Sequence, residues 1–326
     1  MVAYILRRLL GILPVLLIGL TFTFFIIHLA PGDPTTRFMD PSMDPALKEK
    51  IAERFGLNDP LHLQYFLWLK QVIFHFDFGN SFNSGRLASV IVFDALIPTI
   101  LVTGLSLLFG LIIGVLGGIF SAINHGNRVD KIITSVMLFF FSMPAFWLGM
   151  MLLGLFSIKL DWLPSSQLTS IFHDQLNIFG RISDYAKHLI LPVLALGLSS
   201  TATFGRFIRS SMIEAMGSDY VMAAEARGIS RGRIIIHYGF RNALIPLVTL
   251  IGFTIPVLFS GAVVIEVIFS LPGMGRVMVG AVLGRDYPVI LAASTCAFLS
   301  VLAGNLLADI FYGIVDPRIQ VNHEVR

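Results

Sequence analysis

The sequence predicts an all-α integral membrane protein of about six transmembrane helices, and three observations carry that prediction. Hydrophobic residues make up 56% of the 326 and charged residues only 13%, whereas a soluble domain carries roughly a quarter charged; mean hydropathy is +0.82. Runs free of Asp, Glu, Lys and Arg recur at Leu9 to Ala30, Ala95 to Ile123, Ile132 to Ile158, Leu189 to Phe204, Ala243 to Ile265 and Pro288 to Ala308, most of them near or above the roughly 20 residues that span a hydrocarbon core. Basic residues concentrate in alternate connecting segments, the pattern that orients a multi-pass chain.

Taken in order, the first run follows Arg7 and Arg8 and is about 22 residues long, too long for the core of a cleaved signal. It ends in His-Leu-Ala-Pro without an Ala-x-Ala site, so an uncleaved helix is expected over residues 1–30. Residues 31–94 form an extracytoplasmic segment. Within it, "DPALKEKIAERFG" reads as a short helix with Asp44 as cap, Pro45 at the first position and Gly56 as stop. "LHLQYFLWLKQVIFHFDFG" is aromatic-rich and too short to span; it fits either an interfacial helix or a helix of a small outer cap. Residues 95–326 hold the remaining five helices, with Asp94 just ahead of the second. The fourth run is the weak one and needs the turn around Arg206 to reach both interfaces by snorkelling.

Orientation follows from the loops. Placing the N-terminus inside gathers Arg7, Arg8, Arg128, Lys131, Arg206, Arg209, Arg227, Arg231, Arg233, Arg241, Arg318 and Arg326 on the cytoplasmic side, so both termini are expected there.

The sequence also excludes chemistry. No Gly-Lys dipeptide occurs, so a phosphate-binding loop of the G-x-x-x-x-G-K-[ST] type is absent and the chain cannot bind ATP in that way. The eight histidines have no ligand spacing and read as scattered interfacial or loop residues; the single cysteine, Cys296, lies in an apolar run. Neither a metal nor a cofactor is expected. The net charge of +3 needs no nucleic acid when basic membrane loops account for it. No helix centre carries an acid or base, which weakens an ion-coupled secondary transporter and an intramembrane hydrolase.

The segment from Tyr220 to Pro246, "YVMAAEARGISRGRIIIHYGFRNALIP", carries Arg227, Arg231, Arg233 and Arg241. Gly217, Ser218 and Asp219 supply a break and a cap, "YVMAAEAR" is good helix sequence, and Gly228 stops it. Ala223 and Ala224 would let another surface approach closely, and the flanking arginines suit an acidic or polar groove. A basic loop resting on anionic headgroups fits the same residues. On the short fourth run, Ser199, Ser200, Thr201 and Thr203 could face a wet cavity, or could serve tight helix packing.

The segment resembles the cytoplasmic loop of type I ABC importer permeases, E-A-A-x-x-x-G, here Met222-Ala223-Ala224 and then Gly228. It is similar in particular to the dipeptide, oligopeptide and nickel branch, through "RNALIP" at Arg241, Asn242 and Pro246. The resemblance runs along the chain: "PGDP" at Pro31, "SMPAFWLG" at Ser142, "EVIFSLPGMGR" from Glu266 through Pro272, Gly273 and Gly275, "RDYP" at Arg285, and "YGIVDPRI" with Asp316, Pro317 and Arg318. It implies a prokaryotic inner-membrane permease and a second homologous permease as partner. It further implies two cytoplasmic ATP-binding subunits that hydrolyse the ATP and an extracytoplasmic substrate-binding protein. Coupling to the ATPase would fall to Ala223, Ala224, Arg227, Gly228 and Arg231 in the loop 205–243. Peptides are the implied substrate, with nickel or another small solute as the alternative. Met222 stands where the general signature has Glu, and Leu271 where the branch usually has Trp, which would change packing in the last outer loop.

Overall fold

The structure, a computed structural model, describes residues 2–29, 59–254 and 262–315. Among them no strand forms; one isolated bridge joins Asn80 and Leu87. The short helix expected over Asp44 to Gly56 lies outside the described residues.

Helix α1 (Val2–Leu29) buries Leu20, Phe24 and Ile27, and Phe24 and Ile27 join a core cluster with Tyr287, Ile290 and Ala293. Helix α2 (Leu61–His75) leans on the C-terminal end of α1 through an aromatic cluster, Phe24 with Tyr65 and Trp68 at 5.3 Å between ring centres, and through Thr21 Oγ1 to Tyr65 Oη at 2.7 Å. Its opposite face leaves Phe66, Leu67 and Phe74 exposed. A helix apolar on both sides with protein on only one suits an interfacial position.

Helix α3 (Ala88–Ile123) begins earlier than expected. Asp94 lies inside it, and a boundary at residue 94 therefore falls within a helix. The reason is local: Arg86 Nη2 meets Asp94 Oδ2 at 2.7 Å on the exposed first turns, so the carboxylate is accommodated without ending the helix.

The third run does not form one straight span. Helix α4 (Arg128–Ser142) breaks at Met143, and α5 (Ala145–Leu152) continues as a π-helical turn at Leu153–Lys159, the two halves bent by 97°. Pro144 lacks an N–H and pushes the residue before it to extended backbone; Met143 has φ −85° and ψ 129°.

The fourth run, expected to be weakest, lies in the longest helix, α6 (Ile178–Met216), about 58 Å at 1.5 Å per residue. Asn177 Oδ1 caps it by accepting from Gly180 N at 2.8 Å. Helices α3 and α6 are in contact along their length. A Cβ on Gly110, Gly114 or Gly118 of α3 would sit 2.9, 2.6 and 2.5 Å from the Gly197, Thr201 and Gly205 carbonyl oxygens of α6. In lipid, where apolar burial does not drive helices together, this close backbone approach is what holds a pair.

Helix α7 (Asp219–Ala226) is followed by one nearly continuous run: α8 (Arg231–Arg233), a π-helical stretch Ile234–Phe240 and α9 (Arg241–Thr254). Helices α10 (Val263–Ile268) and α11 (Met274–Gly284) precede α12 (Tyr287–Val315). Large apolar side chains such as Ile97, Phe120, Ile132 and Phe139 face outward, as they do where lipid is the solvent.

Candidate functional site

The segment from Tyr220 to Pro246 is built around α7. Gly228, at φ +74°, takes the left-handed conformation that a Cβ would oppose. The Ile229 amide donates to Ala224 O at 3.2 Å and the Gly228 amide to Glu225 O at 2.9 Å, the paired bonds of a Schellman stop. Arg227 Nε adds a bond to Ala223 O at 3.1 Å, placing a cation where the helix dipole favours one.

The two alanines separate. Ala224 is 0% exposed and packs with Val221 and Ile234, against Met216, Ile229 and Tyr238 of the same chain. Ala223 faces outward with Tyr220 and Met222. The expectation that both alanines meet a partner is corrected: Ala224 seats the helix, and Ala223 is free to be covered. Asn242 Nδ2 donates to Tyr238 O at 2.7 Å and Tyr220 Oη at 2.9 Å, so a residue of α9 pins the outer face of α7. Arg231, Arg233 and Arg241 are exposed around it.

A second constellation lies at the other end of the molecule. Glu266 is 1% exposed; Oε1 accepts from Thr99 Oγ1 at 2.8 Å and Oε2 from the Arg276 amide at 2.9 Å. The same Thr99 oxygen accepts from the Met274 amide at 2.8 Å. The carboxylate thus sits on the N-terminus of α11, where helix amides and dipole stabilise an anion. A Cβ on Gly273 would lie 2.3 Å from Glu266 Cδ, and one on Gly275 2.8 Å from Val263 Cα; the two glycines are the space that the carboxylate occupies. Leu271 is 1% exposed among Val102, Leu191 and Phe269, so the smaller residue there still fills core, while Pro272 is exposed.

The hydroxyl row divides as well. Ser199 and Ser200 donate to Leu196 O at 2.9 and 3.3 Å, and Thr201 to Gly197 O at 3.0 Å. Ser200 and Thr201 lie under Gly110 and Gly114 of α3. For these two the wet-cavity expectation gives way to helix packing; Ser199 and Thr203 are half-buried. The side chain of Pro246 and residues Asp316, Pro317 and Arg318 lie outside the described residues.

Sequence reasoning missed two buried carboxylates, Asp286 and Asp130, and a half-buried one, Asp184. Asp286 accepts from Ser81 Oγ at 2.5 Å and from the Phe82 amide at 2.9 Å, tying the α2–α3 connection to the start of α12. Asp184 gathers His173, Nδ1 to Oδ2 at 2.7 Å, and His188, Nδ1 to Oδ1 at 3.4 Å, so those two histidines are not scattered. Asp130 pairs with Arg209 at 2.8 Å. Their partners are 4 to 205 residues away in sequence, and only the i,i+4 spacings Asp184–His188 and Asp130–Thr134 left a local side-chain signal.

Two family descriptions match the chain: "Binding-protein-dependent transport system inner membrane component" over residues 114–321 and the N-terminal "Binding-prot-dependent transport system membrane comp, N-term" over residues 1–97. The chain is similar to the oligopeptide transport system permease protein AppB of Bacillus subtilis, 39% identical over 98% of this chain and 100% of that protein. It is also similar to the glutathione transport system permease protein GsiC of Escherichia coli, 33% identical over 98% and 99%. Among solved structures, inward-facing conformations of the MetNI methionine ABC transporter share the fold at TM-score 0.51 and 15% identity, covering 69% of this chain and 96% of that one.

Proposed function

The chain belongs to the family of inner-membrane components of binding-protein-dependent transport systems, and on that footing we propose that it couples ATP hydrolysis by cytoplasmic partner subunits to peptide import. It is a multi-pass membrane permease of the type I ABC importer fold. In the proposed assembly a second homologous permease lines the path with it, two ATP-binding subunits sit below, and an extracytoplasmic binding protein delivers substrate. Both termini lie in the cytoplasm, residues 31–94 outside, and the core over 95–326.

One observation carries the coupling role. Helix α7 is a rigid knob, closed at Gly228, seated by Ala224 and tied to α9 by Asn242, with Ala223 and Met222 outward and Arg227 and Arg231 beside them. Such a surface fits a groove in an ATPase subunit. Closure of the ATPases would shift α7 and with it the long α6, changing which side of the membrane the path faces. A loop that merely rests on headgroups has no use for a capped helix with a small residue at its tip. Peptides are the proposed substrate because the relatives named above are permeases for oligopeptides and for glutathione, itself a tripeptide.

The test is uptake of labelled tripeptides by cells lacking the chain and complemented with it. Ala223→Asp, at an exposed site, should abolish uptake and release the ATPase subunits on purification while membrane levels stay normal. Normal uptake by that variant would refute the docking role.

A further inference from the structure

Arg209 of α6 grips the Asp130 carboxylate of α4 as a fork, Nε to Oδ1 and Nη2 to Oδ2, both at 2.8 Å. Asp130 is 3% exposed. Its oxygens also accept the Ser121 hydroxyl at the end of α3 and the Gly126 amide of the α3–α4 turn, the latter at 2.9 Å, and Arg209 Nη2 reaches His125 Nδ1 at 3.1 Å. One carboxylate therefore joins α3, the turn, α4 and α6. Among the described residues this is the one ion pair of an arginine or lysine with a buried carboxylate. A desolvated pair is tolerable only when its remaining hydrogen bonds are made, and a two-point fork fixes orientation as well as distance.

Its place in the chain gives the fork a use. Arg209 lies two turns before α6 ends at Met216, and α7 starts at Asp219. Asp130 opens α4, which runs directly to the 97° bend at Met143 and Pro144. A displacement of α7 that tilts α6 must carry the start of α4 with it or break the fork. Met137 of α4 also packs closely against Gly205 of α6, and a flexible methionine can slide where a fork cannot.

We infer that Asp130 and Arg209 are positioning residues for coupling: their fork makes the α3–α4 turn move as one body with the α6–α7 segment, so that displacement of α7 reaches the bend between α4 and α5. This rests on the reading of α7 as the coupling helix. Two sites both biasing one element is the physical content of such a claim, and it must be measured as coupling rather than assumed from proximity.

The complete complex in proteoliposomes, with a labelled tripeptide as probe, supplies the measurement. The unaltered complex is read first; if it imports no peptide, the transport reading itself fails and the fork is not at issue. Asp130→Asn removes the charge at constant shape, and Arg209→Lys keeps the charge and removes the fork. The expectation is that peptide imported per ATP hydrolysed falls about fivefold or more, the low end of coupling between distinct sites. Import and hydrolysis falling together at an unchanged ratio would mean a merely structural clamp, and import and hydrolysis both unchanged would mean no role; either overturns the inference. Should both variants fail to assemble, the unaltered fork can be followed directly. Spin labels replacing the exposed Lys131 and Glu214, in a Cys296→Ser background, should hold a constant distance through the ATP cycle. Separation of that pair on nucleotide binding would overturn the inference independently of any variant.

Discussion

Glu266 is buried to 1% exposure, and its charge is met by one hydroxyl and one helix amide. Thr99→Val removes that hydroxyl and leaves both Glu266 Oε1 and the Met274 amide without their partner. Each orphaned buried group costs about 1–3 kcal/mol, so a melt of the purified chain in detergent should shift down by several degrees; an unchanged melt would show water taking the place of the hydroxyl. Ala223 and Ala224 give a sharper contrast one position apart. Asp at Ala224 must enter the pocket of Val221, Ile234 and Tyr238 and costs on the order of 3 kcal/mol or more, lowering the yield of folded chain. Asp at Ala223 should leave yield unchanged and remove only docking. The sequence identifies this helix and its glycine stop, because a helix-forming run and a φ-permissive residue are local signals. Which alanine turns inward depends on Ile234 and Tyr238 folding back over it, and no local signal carries that.

At the scale of elements, the α3–α6 pair makes glycines of the same helix respond with opposite sign. Gly118→Ala places a Cβ 2.5 Å from Gly205 O and must push the two helices apart, whereas Gly104 has nothing within 4 Å of its Cβ position. Helix propensity alone favours Ala over Gly by roughly 1 kcal/mol. Gly104→Ala should therefore raise the melting temperature in detergent slightly and Gly118→Ala lower it; equal shifts of one sign would mean that the helices are not in close contact. Hydropathy finds both helices but misjudges two runs. Ile132 to Ile158 is uncharged throughout, and window averages are blind to the 97° bend that a single Pro144 creates. Leu189 to Phe204 looks short because Lys187 and Arg206 flank it, yet α6 continues past both, since a helix need not end where its lipid-facing stretch does.

For the whole molecule, the asymmetry of basic loops predicts the sidedness of every segment. Reporter fusions after Asn127 and Ser230 should be cytoplasmic and one after Gly56 exported; an exported reporter after Ser230 would reverse the proposed orientation and move α7 away from any ATPase. Nucleotide turnover belongs at this scale too. The purified chain, with no Gly-Lys in its sequence, should hydrolyse no ATP by itself, and a stoichiometric contaminant-free turnover would contradict that.

Class, approximate spans and the helix from Asp219 to its stop at Gly228 follow from the sequence by itself, because hydrophobicity, charge asymmetry and helix stops are properties of short windows; the cap expected of Ser218 does not form, its hydroxyl donating back to Ala215 O. The ordered strings from "PGDP" to "RDYP" carry the family resemblance in the same local way. Only the tertiary structure decided how buried charge is used: Glu266 on the start of α11, Asp286 under the turn at Ser81, and Asp130 in the fork of Arg209. A carboxylate in an apolar chain must find its donors wherever the packing of helices delivers them, and for these three most donors arrive from elements remote in sequence.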